Sequence, residues 1–182
     1  MLMERSKCSL LVVDVQARLL PAIAEGDAVL KNCIWLAGVA RRLGVPIVIS
    51  EQYPEGLGAT VAPLVAAAGE ATVVAKTHFS GVSDGCLADT AVDQRRQVVV
   101  VGTEAHVCVL QTVLELRWLG KEVFVAADSI GSRKPSDKEA ALARMRAHGV
   151  EVVTREMVAF EWLQRSATEQ FRALNRDFIR DH

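Results

Sequence analysis

Six short, nearly uninterrupted apolar runs recur along the chain, at 9–15, 46–50, 71–76, 97–102, 122–127 and 150–154. A strand with one wet face alternates apolar and polar residues, whereas a strand buried on both faces reads as a continuous apolar run, the mark of a parallel sheet. Helical patterns separate the runs. Over 27–43, Leu30, Ile34, Ala37 and Leu43 recur at three- and four-residue spacing, and Gly44 stops the helix just past its end. Further helices are expected over 105–119 and over 136–148, the latter opening on a Ser-Asp-Lys-Glu capping box. The stretch 51–69 is the longest irregular one, with a short helix expected over 59–68. A final helix over 168–181 aligns Phe171, Leu174 and Phe178, either to dock on its own domain or to meet a second subunit. Strands alternating with helices predict right-handed crossovers and a doubly wound, three-layer α/β/α sandwich. We expect six parallel strands in a single domain over 1–182.

Composition narrows what such a domain does. With 182 residues, 51% of them hydrophobic and 24% charged, the chain buries roughly 70% of its unfolded surface and is not disordered. Its 21 Lys and Arg against 22 Asp and Glu give a net charge of −1, which provides no broad field for a phosphate backbone, so nucleic acid is not an expected partner. No run approaches the ~18 apolar residues of a membrane span. The four cysteines, Cys8, Cys33, Cys86 and Cys108, lie far apart without a CxxC pair, which points to a reducing, cytoplasmic setting. Trp35, Trp118 and Trp162 each fall in a helical apolar pattern and are expected in the core or at an interface.

In an open parallel sheet, ligands bind beyond the carboxyl ends of the strands. Asp14 ends the first run, Lys76 ends the third, and Cys108 opens the helix after the fourth, which puts all three on one rim. Each has an ordinary explanation: a helix cap for Asp14, a solvated charge for Lys76, a small buried hydrophobe for Cys108. Together they suggest chemistry. A helix N-terminus and a neighbouring ammonium lower a thiol pKa from ~8.5 into the range ~3.5–7.5, and a carboxylate beside them accepts and returns the proton.

The segments Leu11-Val-Val-Asp-Val-Gln16, Lys76-Thr-His-Phe-Ser80 and Val101-Gly-Thr-Glu-Ala-His-Val-Cys-Val109 occur in this order, and with them the sequence resembles the isochorismatase-like cysteine hydrolase superfamily. Glu51-Gln-Tyr-Pro-Glu-Gly-Leu-Gly58 and Asp128-Ser-Ile-Gly-Ser-Arg133 look most like its branch of isochorismatase domain-containing proteins. The resemblance implies a strand order of 3-2-1-4-5-6 and a catalytic triad of Asp14, Lys76 and Cys108. It further implies a cis peptide at Thr103-Glu104 that aims the backbone N–H groups of Glu104 and Cys108 at an oxyanion. Metal-dependent members carry an Asp-x-His motif after the second strand. Here the stretch reads Ser50-Glu51-Gln52-Tyr53, so no metal and no other cofactor is expected. True isochorismatases replace the cysteine, which this chain retains.

Gln16, Tyr53, Leu57 and Phe79 are the expected substrate contacts, Gln16 by orienting the pocket from beside Asp14. A Cys108–His106 dyad is disfavoured because i and i+2 side chains do not face each other on a helix. His78 either touches substrate or is a surface residue, Cys86 lines the pocket or resolves a disulfide, and Cys8 and Cys33 are structural. The expected function is metal-independent hydrolysis of a small-molecule carbon–nitrogen bond through a Cys108 thioester, in a homo-oligomer of two or more chains. The alternatives are a non-catalytic small-molecule binding or scaffold protein and a thiol redox protein.

Overall fold

A computed structural model describes residues 1–180. Its elements run β1 (Cys8–Val13), α1 (Gly26–Leu43), β2 (Ile47–Gln52), α2 (Pro54–Leu57), α3 (Ala62–Ala68), β3 (Thr72–Lys76), α4 (Gly81–Asp84), α5 (Ala91–Gln94) and β4 (Gln97–Thr103). Then follow α6 (Leu110–Trp118), β5 (Glu122–Gly131), α7 (Pro135–Ala147), β6 (Glu151–Val153), α8 (Arg155–Leu163) and α9 (Glu169–Leu174). The strands form one all-parallel sheet in the order β3-β2-β1-β4-β5-β6.

The apolar runs of β1, β2, β4 and β5 do what two-sided burial requires, whereas the edge strands β3 and β6 are buried only in part. Along β1, Leu10 and Val12 enter the core under α1, α8 and α9, while Leu11 and Val13 enter the core under α5, α6 and α7. In β4, Val99 and Val101 take the first side and Val98 and Val100 the second. Helices therefore cover both faces. Chain order reverses between β1 and β4, so the crevice at their carboxyl ends is the topological switch point.

Several elements differ from the sequence expectation. The Ser136 capping box does not form: Pro135, with φ already fixed for a helix, takes the first helical position behind Lys134, which leaves Ser136 inside the first turn. The helix expected from 105 opens as a π-helical turn over Ala105–Val109 before α6. The last helix is capped by Thr168, whose hydroxyl accepts from Phe171 N–H, and continues from α9 into a turn at Asn175–Ile179. Residue 181, its expected end, lies outside the described residues. Leu174 is buried, and Phe171 and Phe178 pack on the α1 side, so this segment docks on its own domain. Trp35 and Trp162 are buried, but Trp118 is 85% exposed and belongs to no core.

Candidate active site

Three non-glycine residues directly follow strands with left-handed backbone: Asp14 after β1 (φ 53°), Tyr53 after β2 (φ 39°) and Glu104 after β4 (φ 55°). Such conformations cost of order 1–3 kcal/mol each and persist where the surroundings enforce them. Here the surroundings do. Asp14 N–H donates to Ser50 O at 3.1 Å, while Asp14 O accepts from Gln16 N–H at 3.0 Å and from Thr103 Oγ1 at 2.6 Å. The described peptide bonds are all trans, Thr103–Glu104 among them, so the expected cis bond is absent. The positive φ of Glu104 turns the chain instead.

Asp14 is fully buried, and Lys76 and Cys108 are each 3% exposed. Ser50 Oγ donates to Asp14 Oδ1 at 2.8 Å and Lys76 Nζ to Asp14 Oδ2 at 2.8 Å, so each carboxylate oxygen holds a donor. The lysine has further acceptors in Gln52 Oε1 at 2.6 Å and His78 O at 3.4 Å. Gln52 Oε1 also lies 4.0 Å from Cys108 Sγ. Burial pushes the Cys108 thiol up to about 12, the Asp14 charge adds to the rise, and Lys76 only partly offsets it. This reverses the expected lowering. The ammonium is already paired with a carboxylate, and little water reaches the sulfur.

Gln52 was not singled out from the sequence, since nothing marks a glutamine in what reads as the start of an irregular stretch. The signal available was spacing: β2 continues past Ser50, and a residue two positions on projects to the same face. Gln16 clamps Gln52 through main-chain atoms. Its Oε1 accepts from Gln52 N–H at 2.8 Å, and its Nε2 donates to Gln52 O at 3.0 Å and to Gly58 O at 2.6 Å.

The other candidates sit around this centre without joining it. Tyr53 helps line a cavity of about 320 Å³ with Glu55, Lys76, Thr77 and Asp84, whereas Leu57 and Phe79 do not line it. Phe79 is largely exposed. His78 is exposed and pairs with Asp84 at 3.1 Å, and Asp84 also accepts the N–H groups of Thr77 and His78 at 2.9 and 3.0 Å. The His106 ring bonds Ser132 Oγ at 3.0 Å and lies 3.4 Å from Glu104, so its partners are not the thiol. Glu104 Oε1 pairs with Arg133 at 2.7 Å. Cys86 donates to Gly81 O at 3.6 Å, and Cys8 and Cys33 are buried against Gln97 Oε1 and Ser129 O. Among the described residues no group of three His, Cys, Asp or Glu side chains is placed to hold a metal ion.

This strand order, with its polar centre at the switch point, has a counterpart among known proteins: residues 8–157 match the isochorismatase domain. The chain belongs to the isochorismatase family. Isochorismatase domain-containing protein 1 of Danio rerio is 41% identical over 150 residues, covering 81% of the chain, which in turn spans about half the length of that relative, 52%. Among solved structures, this isochorismatase-family chain is similar to the MAR1 ribonuclease of Caenorhabditis elegans, with a TM-score of 0.91 and 30% identity over 97% of this chain and 91% of that one. It is also similar to YcaC of Pseudomonas aeruginosa, solved with hexane-2,5-diol and covalent acrylamide, with a TM-score of 0.90 and 25% identity over 98% and 92% of the two chains. The family and the sheet make this a hydrolase fold.

Proposed function

We propose that the protein is a metal-independent cysteine hydrolase of a small-molecule carbon–nitrogen bond, with residues 1–182 acting as one catalytic domain. The observation that carries the reading is the buried Asp14–Lys76 pair at 2.8 Å, on the same carboxyl-end rim of the sheet as Cys108. Covalent acrylamide in the YcaC structure adds support, because an electrophile of that kind marks a nucleophile in a related fold.

A thiol whose pKa is pushed up to about 12 does not rest as a thiolate at neutral pH. Asp14 therefore acts as general base during attack. As Sγ bonds the carbonyl carbon, its proton passes to an Asp14 oxygen and the carbonyl electrons move onto oxygen. The backbone N–H groups of Glu104 and Cys108, on a turn set by the positive φ of Glu104 and not by a cis bond, are the donors proposed for that oxyanion. Its collapse breaks the carbon–nitrogen bond, and Asp14 hands its proton to the departing amine. Water, deprotonated by Asp14, then cleaves the thioester and restores the thiol. Lys76, bonded to Oδ2 at 2.8 Å, fixes the orientation of Asp14.

Gln16 orients this centre through Gln52, and Tyr53, at the cavity beside Lys76, is the first residue to test for substrate contact. Leu57 and Phe79 rank behind it. A retained thiol sets the reaction apart from vinyl-ether hydrolysis, which needs no thioester. The ribonuclease name of the worm protein gains no support from this chain, whose charges nearly cancel. A thiol redox role also loses ground, since redox cysteines are exposed and of low pKa. We further propose a cytoplasmic homo-oligomer, with the exposed Trp118 as the first place to look for a subunit contact.

The test is turnover of a panel of small amides and ureides by wild type and Cys108→Ala. Release of ammonia or amine by wild type, with at least a thousandfold loss in the variant, is expected. Equal turnover by the variant overturns the thioester route, and no turnover of any member by wild type, with binding retained, favours the scaffold reading.

A further inference from the structure

A lysine ammonium has three N–H groups and no acceptor. In this site all three have somewhere to go: Asp14 Oδ2 at 2.8 Å, Gln52 Oε1 at 2.6 Å and His78 O at 3.4 Å. These three lie nearer the ammonium than the sulfur does, and Lys76 offsets only part of the rise in the Cys108 thiol. The Gln52 amide is held in one orientation, because Nε2 donates to Thr77 O at 2.8 Å and so leaves Oε1 for the ammonium. That same oxygen is 4.0 Å from Cys108 Sγ, which places the amide beside both the charge and the nucleophile.

We propose that Gln52 is a positioning residue that engages the Lys76 ammonium and so withholds it from Cys108, keeping the resting nucleophile a neutral thiol. The inference rests on Cys108 being the nucleophile of the proposed hydrolase, and it assigns the glutamine a restraining role. Without Oε1, one N–H of Lys76 is left buried and unpaired, and the sulfur is the neighbouring acceptor. Bonding to that sulfur favours the thiolate. A carboxylate at position 52 does the opposite, since it keeps the ammonium and sets a negative charge near the sulfur. The charged groups that reach Cys108 are Asp14, just after β1, and Lys76 at the end of β3. Glu104 and His106, on the turn that bears it, are tied to Arg133 and Ser132, and the neighbouring Cys86 thiol is held protonated by burial.

The experiment measures the rate of Cys108 alkylation by iodoacetamide against pH, read by peptide mass spectrometry, in wild type, Gln52→Met and Gln52→Glu. In this reaction the sulfur–carbon bond forms and iodide leaves. Methionine keeps the length of the side chain, and the bonds from Gln16 survive because they use main-chain atoms of residue 52. For Gln52→Met the labelling midpoint is expected to fall by about one pH unit, roughly tenfold faster labelling on the limb below it. Gln52→Glu is expected to label more slowly than wild type across the same range.

A midpoint unchanged or raised in Gln52→Met overturns the proposal, and so does acceleration in both variants, which is what mere loosening around the sulfur produces. If Gln52→Met does not fold, Gln52→Glu decides alone, labelling at the wild-type rate or faster being the overturning result. Alkylation needs no substrate. Failure here therefore leaves the hydrolase reading standing, and failure to find turnover leaves the labelling result, and with it the hold of Gln52 on Lys76, unchanged.

Discussion

Asp14 and Lys76 are charged groups with almost no access to water, and each is tolerable only because the other is there. A buried pair of this kind is weak evidence of net stabilisation, yet removing one partner leaves an uncompensated charge and costs about 3–5 kcal/mol. Lys76→Met is accordingly expected to lower unfolding free energy by that amount, measured by urea denaturation at pH 7. Lys76→Met combined with Asp14→Asn should recover much of the loss, since the double variant leaves no lone charge. A double variant no more stable than the single one argues against the pair as the cause. The rim positions of Asp14 and Lys76 were legible in the sequence because a polar residue closing an apolar run stands at a strand end whatever the details of packing, and that of Cys108 because it opens the helix that follows β4. Gln52 and Ser50 were not, since their roles depend on the side chains that β2 sets beside those of β1 and β3. The direction of the thiol pKa was misread for a related reason: sequence shows a lysine near a cysteine, not the acceptors that already occupy it.

Among the elements, β4 carries the tightest constraint. Gly102 sits at φ 129° where β4 shifts register against β5, and a Cβ there would lie 2.0 Å from Val13 O. Glycine at 102 lets β1 and β4 close together one residue before Asp14 leaves the sheet. Gly102→Ala is expected to cost about 3 kcal/mol or more through strain and forced separation of the strands, visible as a lower urea midpoint. A midpoint within error of wild type would show that the strands yield without cost. The four inner strands were easy to read, for burial on both faces leaves a continuous apolar run, and the edge strands β3 and β6 are apolar without being so buried. The π-helical turn over Ala105–Val109 was not, because one extra residue in a turn leaves apolar spacing almost untouched. Helices as short as α2, α4 and α5 bury too few residues to print a period at all.

At the scale of the molecule, the cysteines give the protein an alkaline weakness. Burial holds Cys8 and Cys86 up to about 11 and Cys33 and Cys108 up to about 12, above the ordinary 9.0. A folded-state pKa above the unfolded one contributes stability that is complete below the unfolded value and is lost as pH rises through the folded one. The urea midpoint should therefore fall between pH 9 and pH 12, and Cys33→Ala should flatten that fall. An equally steep fall in the variant assigns the loss to other groups. The sheet order bears on the site as well. Asp14 follows a central strand and Lys76 ends the edge strand β3, with β2 between them, so one ion pair spans three strands. Most of β3 is exposed, and a loosened edge strand is a template for sticking to other chains. A copy that peels open on this side gives up its ammonium in the same event. Under the proposed mechanism, the copies ready to aggregate are thus the copies already disarmed, and activity per milligram would count the sheets still closed at that border.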